Sequence, residues 1–412
     1  MSVGSSATPS RFGAILACAL VGAGTVLGLS GIDLVLPAIP QLPEILGGEA
    51  AAAQLVIAAF VAGTAGGLLL FGALGGRYGR RYALVAALAA YAALSFLAAR
   101  AETMPSLIIL RFFQGVAASA PAVFAPGIIR TLFDEIGATK ALGVLASVES
   151  LVPAGAPVVG VWLLTLGDWT LSFTITAVLA ALLAVSFIFA GRVLPPDTGS
   201  GAGGSYARLL GSSVYMRYAL TQALVLGGLL VFVFGAPAVI VRTMGGSLQD
   251  FIVMQVSGVT CFIVASNVTG WLVGRFGAER LILTGTTMAL LSALALLSYA
   301  VAGGKDPGWL PYLFVPMNVG LGLRGPPGFL RAIIAGGGDD HRAASLMILA
   351  ITGVSAGGTA LFAPFIESGL LALSLAATAI QGLAVLLLLV LPPLQAVPKT
   401  GPGNGPKDAV GD

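Results

Sequence analysis

The stretch Gly72-Ala-Leu74-Gly-Gly76-Arg77-Tyr78-Gly79 returns 198 residues later as Gly270-Trp-Leu272-Val-Gly274-Arg275-Phe276-Gly277. The shared frame is G-x-L-x-G-R-aromatic-G, and both copies lie between long apolar runs. A second pair repeats at the similar offset of 201 residues: Pro126-Gly127-Ile128-Ile129-Arg130 and Pro327-Gly328-Phe329-Leu330-Arg331. Two matches at nearly one offset mark an internal duplication. In an apolar chain, duplication predicts two related halves that move against each other.

Working outward, composition places the chain in a membrane. It is 57% hydrophobic and 9% charged over 412 residues, where a soluble domain carries roughly 25% charged residues. Twelve stretches hold no charge: 12–32, 50–76, 82–99, 112–129, 150–167, 169–191, 218–241, 251–274, 281–304, 307–323, 343–366 and 368–398. A bilayer core takes roughly 20 apolar residues of helix. The runs are continuously apolar, not alternating, so twelve helical spans are expected and a barrel is not.

Basic residues set the orientation. With the N-terminus cytoplasmic, 15 of the 20 Lys and Arg fall on the cytoplasmic side, and only Arg100, Arg242 and Lys305 fall outside. This bias predicts both termini in the cytoplasm. The net charge of +3 is therefore a topology signal, and no basic cluster suits a nucleic acid. The first apolar run is too long for a signal core and leads into further spans, so it reads as a retained helix. Cys18 and Cys261 fall inside spans and read as packing residues.

The flexible run from Pro195 to Ser205 reads as a linker between two bundles. The expected organisation is a six-helix bundle over 1–191, a cytoplasmic linker over 192–216, a second bundle over 217–392 and a disordered tail over 393–412.

The segment Gly72–Tyr82 resembles the loop 2–3 signature of the major facilitator superfamily, G-x-L-a-D-R-x-G-R-R/K. Arg111-Phe-Phe-Gln114-Gly115 resembles its fourth-span motif. Asp33-Leu-Val-Leu-Pro37-Ala38-Ile39-Pro40 is similar to the first-span signature of the drug:proton antiporters, and Gly155-Ala156-Pro157-Val-Val-Gly160 partly matches their fifth-span antiporter motif. The runs Ile129–Asp134 and Gly235–Ile240 are most similar to the bicyclomycin-resistance branch. The resemblance implies an all-α membrane fold of twelve transmembrane helices in two pseudo-symmetric six-helix bundles. It also implies gating by Gly72, Gly76, Arg77, Gly79 and Arg81 and, in the second copy, by Gly270, Arg275 and Gly277. Gly76 stands where the family signature has Asp, so the charge network that Asp joins is weakened or replaced. Ala156 and Val161 replace two antiporter-motif glycines, and Val35 replaces an aromatic.

Four charged residues fall inside spans: Asp33, Arg111, Glu149 and Arg324. A charge at depth costs roughly 3 kcal/mol on the lowest scales, so each needs a cavity or a partner. Asp33 near the end of span 1 and Arg111 near the start of span 4 both lie in the outer part of the first half. There they make either a proton-coupling pair or a static ion pair that fixes register. Glu149, roughly 12 Å deep at helical rise, is a second proton-site candidate, or a side chain reaching water in the inner vestibule. Gln114 shares a face with Arg111 and bonds substrate or satisfies Arg111. Arg324 sits among Gly322, Gly325, Pro326 and Pro327. It faces an anionic substrate group, pairs with Glu149 across the halves, or serves a helix end. His341, the single histidine, reads as a solvated loop residue.

No catalytic triad, phosphate loop or metal-ligand spacing is present, so neither an enzyme nor a cofactor is expected. The expected function is secondary active transport across the bacterial inner membrane by alternating access, with proton-driven export of a small organic compound. A proton-coupled importer, an uncoupled facilitator and a non-transporting sensor are the alternatives. The expected partners are a small-molecule substrate, protons and the lipid bilayer, with the protein acting as a monomer.

Overall fold

The computed structural model describes residues 10–189, 194–195 and 204–394, without the side chains at 50, 51 and 76–78. Over these residues the chain is helical. The first half holds α1 (Arg11–Asp33), α2 (Leu42–Leu46), α3 (Ala50–Tyr78), α4 (Arg80–Ala98), α5 (Met104–Ala118), α6 (Ala120–Leu132), α7 (Glu135–Leu166) and α8 (Thr170–Phe189). The second holds α9 (Tyr206–Leu210), α10 (Ser213–Arg242), α11 (Leu248–Phe276), α12 (Ala278–Val301), α13 (Leu310–Ala335), α14 (Asp340–Phe362) and α15 (Leu370–Val390). The segments α5 and α6 form one rod that bends at Ser119, where Pro121 enters the first turn of α6.

Among the described residues, eleven helical rods are long and apolar enough to cross a membrane. The remaining long helix is α13, with 26 residues. Asn318, Arg324 and internal prolines at 316, 326 and 327 lower its apolarity. It is sheltered by its neighbours: a Cβ at Gly285 of α12 would lie 2.3 Å from the Gly320 carbonyl oxygen, and one at Gly322 would lie 2.6 Å from Ala265 of α11. Large apolar side chains such as Val158, Leu182, Leu291 and Leu389 are exposed along the rods. A lipid-facing surface needs that exposure.

Helical structure resumes within the stretch expected as linker. Helix α10 starts at Ser213, capped by the Ser212 hydroxyl, which accepts from Tyr215 N. The expected linker therefore holds α9 and the start of α10, while 196–203 and most of the tail lie outside the described residues.

The duplicated frame has a geometric cause at its last glycine. Gly79 is the one residue between α3 and α4 and has φ of 79°, and Gly277 between α11 and α12 has φ of 83°. A one-residue turn between two long helices needs this left-handed backbone, which glycine adopts without a Cβ penalty.

The halves meet at one end only among the described residues. Apolar clusters that mix them gather Phe71, Phe124, Ile348 and Leu349 in one place and Ile129, Leu142, Leu330 and Ile334 in another. The clusters toward the other end stay within one half. The interface thus closes at the end carrying Arg130 and Arg331 and parts toward the other. The helices along it are thinly covered: only 11% of the α14 window and 22% of those of α7 and α11 is buried, against 61% for α10. Lipid on one side and an open cleft on the other account for that difference.

Candidate functional site: a cleft sealed at its basic end

The seal is built from the second repeated motif. Arg130, the last residue of P-G-x-x-R in the first half, forms an ion pair with Asp340 at the start of α14. Arg331, its counterpart in the second half, reaches back to Glu135 at the start of α7, at 2.6 Å. Each repeated arginine thus crosses to an acid at the N-terminus of a helix in the opposite half. An acid there is favoured by the helix dipole as well. The motif's glycine admits the crossing partner: a Cβ at Gly127 would lie 3.1 Å from Asp340 Cβ.

The opening motif supplies the packing of the same seal. A Cβ at Gly72 would lie 2.4 Å from Ser345 Oγ of α14, and one at Gly270 would lie 2.2 Å from Lys140 of α7. The duplicated glycine is therefore pressed by the opposite half in both copies. Gly75 is pressed by His341, whose ring packs edge-on against Phe124 with centroids 4.9 Å apart. His341 is buried in the first turn of α14, and the reading of it as a solvated loop residue is corrected. Helix α14 begins at Asp340, earlier than the uncharged run suggested, and carries the ring into the interface.

The motif's charged positions behave differently. The side chains of Gly76, Arg77 and Tyr78 lie outside the described residues. Arg81 donates to the Ile188 carbonyl at 2.7 Å, within the first half. Arg275 is exposed and lies over Trp271 and Phe276 of its own helix. Across the seal, Arg342 pairs with Asp339 at 2.9 Å and donates to the Ala73 carbonyl of α3 at 3.4 Å. Tyr206 of α9 donates to the Leu69 carbonyl at 2.6 Å, so the segment joining the halves is itself tied across them.

Above the seal lies Glu149. The innermost polar contact between the halves is Asn267 Nδ2 of α11 donating to Ser147 Oγ of α7 at 2.9 Å. Glu149 stands two residues beyond Ser147, about 3 Å along the helix, and is half-buried. Thr25 of α1, whose hydroxyl donates to the Gly22 carbonyl at 2.9 Å, is its polar neighbour on another helix. An acid at the floor of the cleft therefore lies between α7 and α1.

Asp33 and Arg111 do not form the expected pair. Arg111 is buried in the first half, where its Nη2 donates to the Gly31 carbonyl at 2.9 Å and its Nε to the Val56 carbonyl at 3.3 Å. Its Nη1 donates to Gln114 Oε1 at 3.3 Å, and its guanidinium lies 4.2 Å from the Phe60 ring centroid. Gln114 in turn donates to Ser95 Oγ at 2.8 Å, so both of its polar atoms are engaged inside the bundle. The cation reaches the last turn of α1, where helix carbonyls lack partners and carry partial negative charge. Asp33 ends that helix half-buried, with no hydrogen bond or ion pair among the described residues.

The antiporter-motif helix shows one clear role. A Cβ at Gly160 of α7 would lie 2.5 Å from the Leu34 carbonyl oxygen and 3.2 Å from Pro37. This glycine lets the segment after Asp33 lie against α7, so two signature stretches meet. Pro157 stays within the helix, and Gly155 is exposed with open space at its Cβ position.

Arg324 is enclosed in the second half. Its Nη1 donates to the Thr221 carbonyl at 2.5 Å and its Nη2 to Thr221 Oγ1 at 3.2 Å. No carboxylate pairs with it among the described residues, and the pairing with Glu149 is not formed.

Sequence reading missed the crossed pairs Arg130–Asp340 and Arg331–Glu135 as functional residues. The repeated P-G-x-x-R was their signal, but nothing local says that each arginine crosses to the other half. Among the described residues no group of three His, Cys, Asp or Glu is placed to hold a metal ion.

Comparison with known proteins agrees with this architecture. A family model described as Major Facilitator Superfamily matches residues 18–358. A protein of Bacillus subtilis (strain 168) named as an uncharacterized MFS-type transporter, YdgK, is 27% identical over 320 residues, covering 74% of this chain and 78% of that one. The multidrug resistance protein MdtL of Klebsiella pneumoniae (strain 342) is 27% identical over 271 residues, covering 65% and 69%. Among solved structures, the proton:xylose symporter XylE superposes with a TM-score of 0.69 at 16% identity, over 90% of this chain and 94% of that one.

Proposed function

Because the chain belongs to the major facilitator superfamily, whose fold is that of transporters and not of enzymes, we propose that it exports a small organic compound by exchange for protons. The observation that carries this reading is Glu149 at the floor of a cleft sealed at its basic end. In alternating access the seal at that end gives way as the other end closes. An acid at the floor then meets water from each side in turn. Proton binding from the outer cleft and release at the inner side couple an inward proton gradient to outward movement of substrate. Asp33, half-buried at the end of α1, is a second acid on the same route.

Further support comes from the relatives. MdtL is named a multidrug resistance protein, and motifs at Asp33–Pro40 and Gly155–Gly160 resemble those of drug:proton antiporters. The proposal includes insertion in a bacterial inner membrane with both termini cytoplasmic, action as a monomer, and two bundles joined by the segment carrying α9. The basic end is then the cytoplasmic end. The similarity to a proton:xylose symporter favours a second reading, proton-driven import with the same acids.

Everted vesicles with an imposed pH gradient test both readings. Export predicts that a labelled drug panel accumulates inside everted vesicles when the lumen is acid. Asp33→Asn and Glu149→Gln are expected to abolish that accumulation while substrate binding remains. Accumulation that is unchanged in both variants refutes coupling at these acids. Accumulation in right-side-out vesicles with an acid exterior instead selects the import reading.

A further inference from the structure

The duplication makes two seams where the halves meet, and only one of them is covered. Along the first, α3 of one half lies against α14 of the other, and the segment joining the halves sits on it. The Tyr206 hydroxyl donates to the Leu69 carbonyl of α3 at 2.6 Å and lies 3.3 Å from Ser345 Oγ of α14. A Cβ at Gly72 would lie 2.3 Å from that same hydroxyl oxygen. Along the second seam, α11 lies against α7. The matching glycine, Gly270, is pressed there by the stem of Lys140, whose Cγ would lie 2.2 Å from a Cβ. No segment among the described residues takes the place that Tyr206 has on the first seam, and Lys140, Trp271 and Arg275 are exposed.

The bare seam is basic. Its contacts run from Ile136 to Gly274, Lys140 to Gly270, Gly143 to Ser266 and Ser147 to Asn267, so the two helices are antiparallel. One residue on from a contact position therefore turns both helices to the same side. On α7 those residues include Val144 and Val148, and on α11 they are Val268, Trp271 and Arg275, all of them exposed. The halves are closed on each other at this end, so this strip faces the lipid. Neither Lys140 nor Arg275 pairs with an acid among the described residues. The nearby acids are taken, Glu135 by Arg331 at 2.6 Å and Asp134 by the Gly137 backbone N–H at 2.9 Å. Cations and a tryptophan at the membrane surface, with valines deeper in, fit a phospholipid headgroup and its acyl chain.

We propose that an anionic phospholipid of the cytoplasmic leaflet docks on this strip, with its phosphate between Lys140 and Arg275 and an acyl chain along Val144, Val148 and Val268. Lys140 belongs to the first half and Arg275 to the second. The phosphate therefore joins the halves on this seam as Tyr206 does on the other. Opening of the basic end draws the two cations apart and weakens their shared hold. A ligand shifts an equilibrium by its differential affinity for the two states, so bound lipid favours the sealed arrangement. The inference rests on insertion in a membrane with the basic end cytoplasmic. It is independent of the direction of transport and of proton coupling.

The test uses the full-length protein in phosphatidylcholine nanodiscs that carry a varied share of phosphatidylglycerol brominated on its acyl chains, or of phosphatidylcholine brominated in the same way. Bromine quenches tryptophan fluorescence at contact, and the Trp271 signal is the difference between the protein and Trp271→Phe. Brominated phosphatidylglycerol is expected to quench Trp271 at a lower mole fraction than brominated phosphatidylcholine, by about fivefold for each of the two cations. Lys140→Gln and Arg275→Gln are each expected to remove about fivefold, and together to abolish the preference. Equal quenching by the two lipids, or a preference that survives in the double variant, overturns the site. Loss of the preference when glycerol phosphate is added means that a soluble anion is the occupant and overturns the lipid assignment. Spin labels at the basic end report the effect on the seal. Phosphatidylglycerol is expected to raise the population at the short distance in the protein and to leave it unchanged in the double variant. An unchanged distribution in the protein with lipid bound overturns the joining of the halves. Each of these failures leaves coupling at Glu149 standing.

Discussion

Arg111 illustrates how a buried charge is accommodated residue by residue. Its planar fork reaches carbonyls on α1 and α3 at once and stacks on Phe60, which a lysine ammonium does not reproduce. Arg111→Leu leaves acceptors unfilled and loosens α1 against α3. A loss of about 2–4 kcal/mol is expected from three lost bonds and imperfect repacking. Thermal unfolding in detergent measures it, and Arg111→Lys is expected to recover less than half. The sequence shows that Arg111 is deep and needs partners. It does not show that those partners are backbone carbonyls, because every residue supplies one and none leaves a signature. Asp33 looked like the partner by type and depth alone.

At the scale of elements, glycine sets how closely helices approach. A Cβ at Gly63 of α3 would lie 1.9 Å from the Phe112 carbonyl oxygen of α5, and one at Gly115 of α5 would lie 2.0 Å from the Phe60 carbonyl oxygen. The two helices touch backbone to backbone, as small residues allow in membranes. Gly63→Ala is expected to destabilise by about 1–3 kcal/mol through overpacking. Gly66→Ala, whose Cβ meets open space, is the neutral control in the same thermal assay. The segment α9 makes a second element-scale claim. Tyr206→Phe removes one hydrogen bond to Leu69, worth about 0.5–1.5 kcal/mol. It is expected to raise cytoplasmic labelling of a cysteine introduced at Asn267 by roughly two- to tenfold. Unchanged labelling would mean that α9 does not hold the seal.

Over the whole molecule, the crossed arginines hold the halves in one of two arrangements. Both pairs are partly exposed, with Arg130 at 35% and Glu135 at 41%, so each is worth roughly 1 kcal/mol at most. Together they bias the equilibrium without locking it, which suits a carrier that must open. Arg130→Asp with Asp340 intact places like charges together and is expected to favour the state open at the basic end. The exchange Arg130→Asp with Asp340→Arg is expected to restore the original balance. Distance measurements between spin labels at the two ends report it, and failure of the exchange to rescue would assign these residues to folding alone.

The duplication, the helical spans and the basic end were determined by the sequence itself. The physical reason is that each rests on a local or periodic property: apolar length against bilayer thickness, arginine bias, and a repeated frame whose final glycine must adopt positive φ. Pairing across the interface was decided by tertiary structure alone. Arg130 meets Asp340 over 210 residues of chain, and Arg324 meets Thr221 rather than Glu149. The placement of His341 in the seal and of Arg324 in the interior of the second half belong to the same class. Which polar groups face each other depends on how two bundles rotate together, and no helical period or spacing in either half records that rotation.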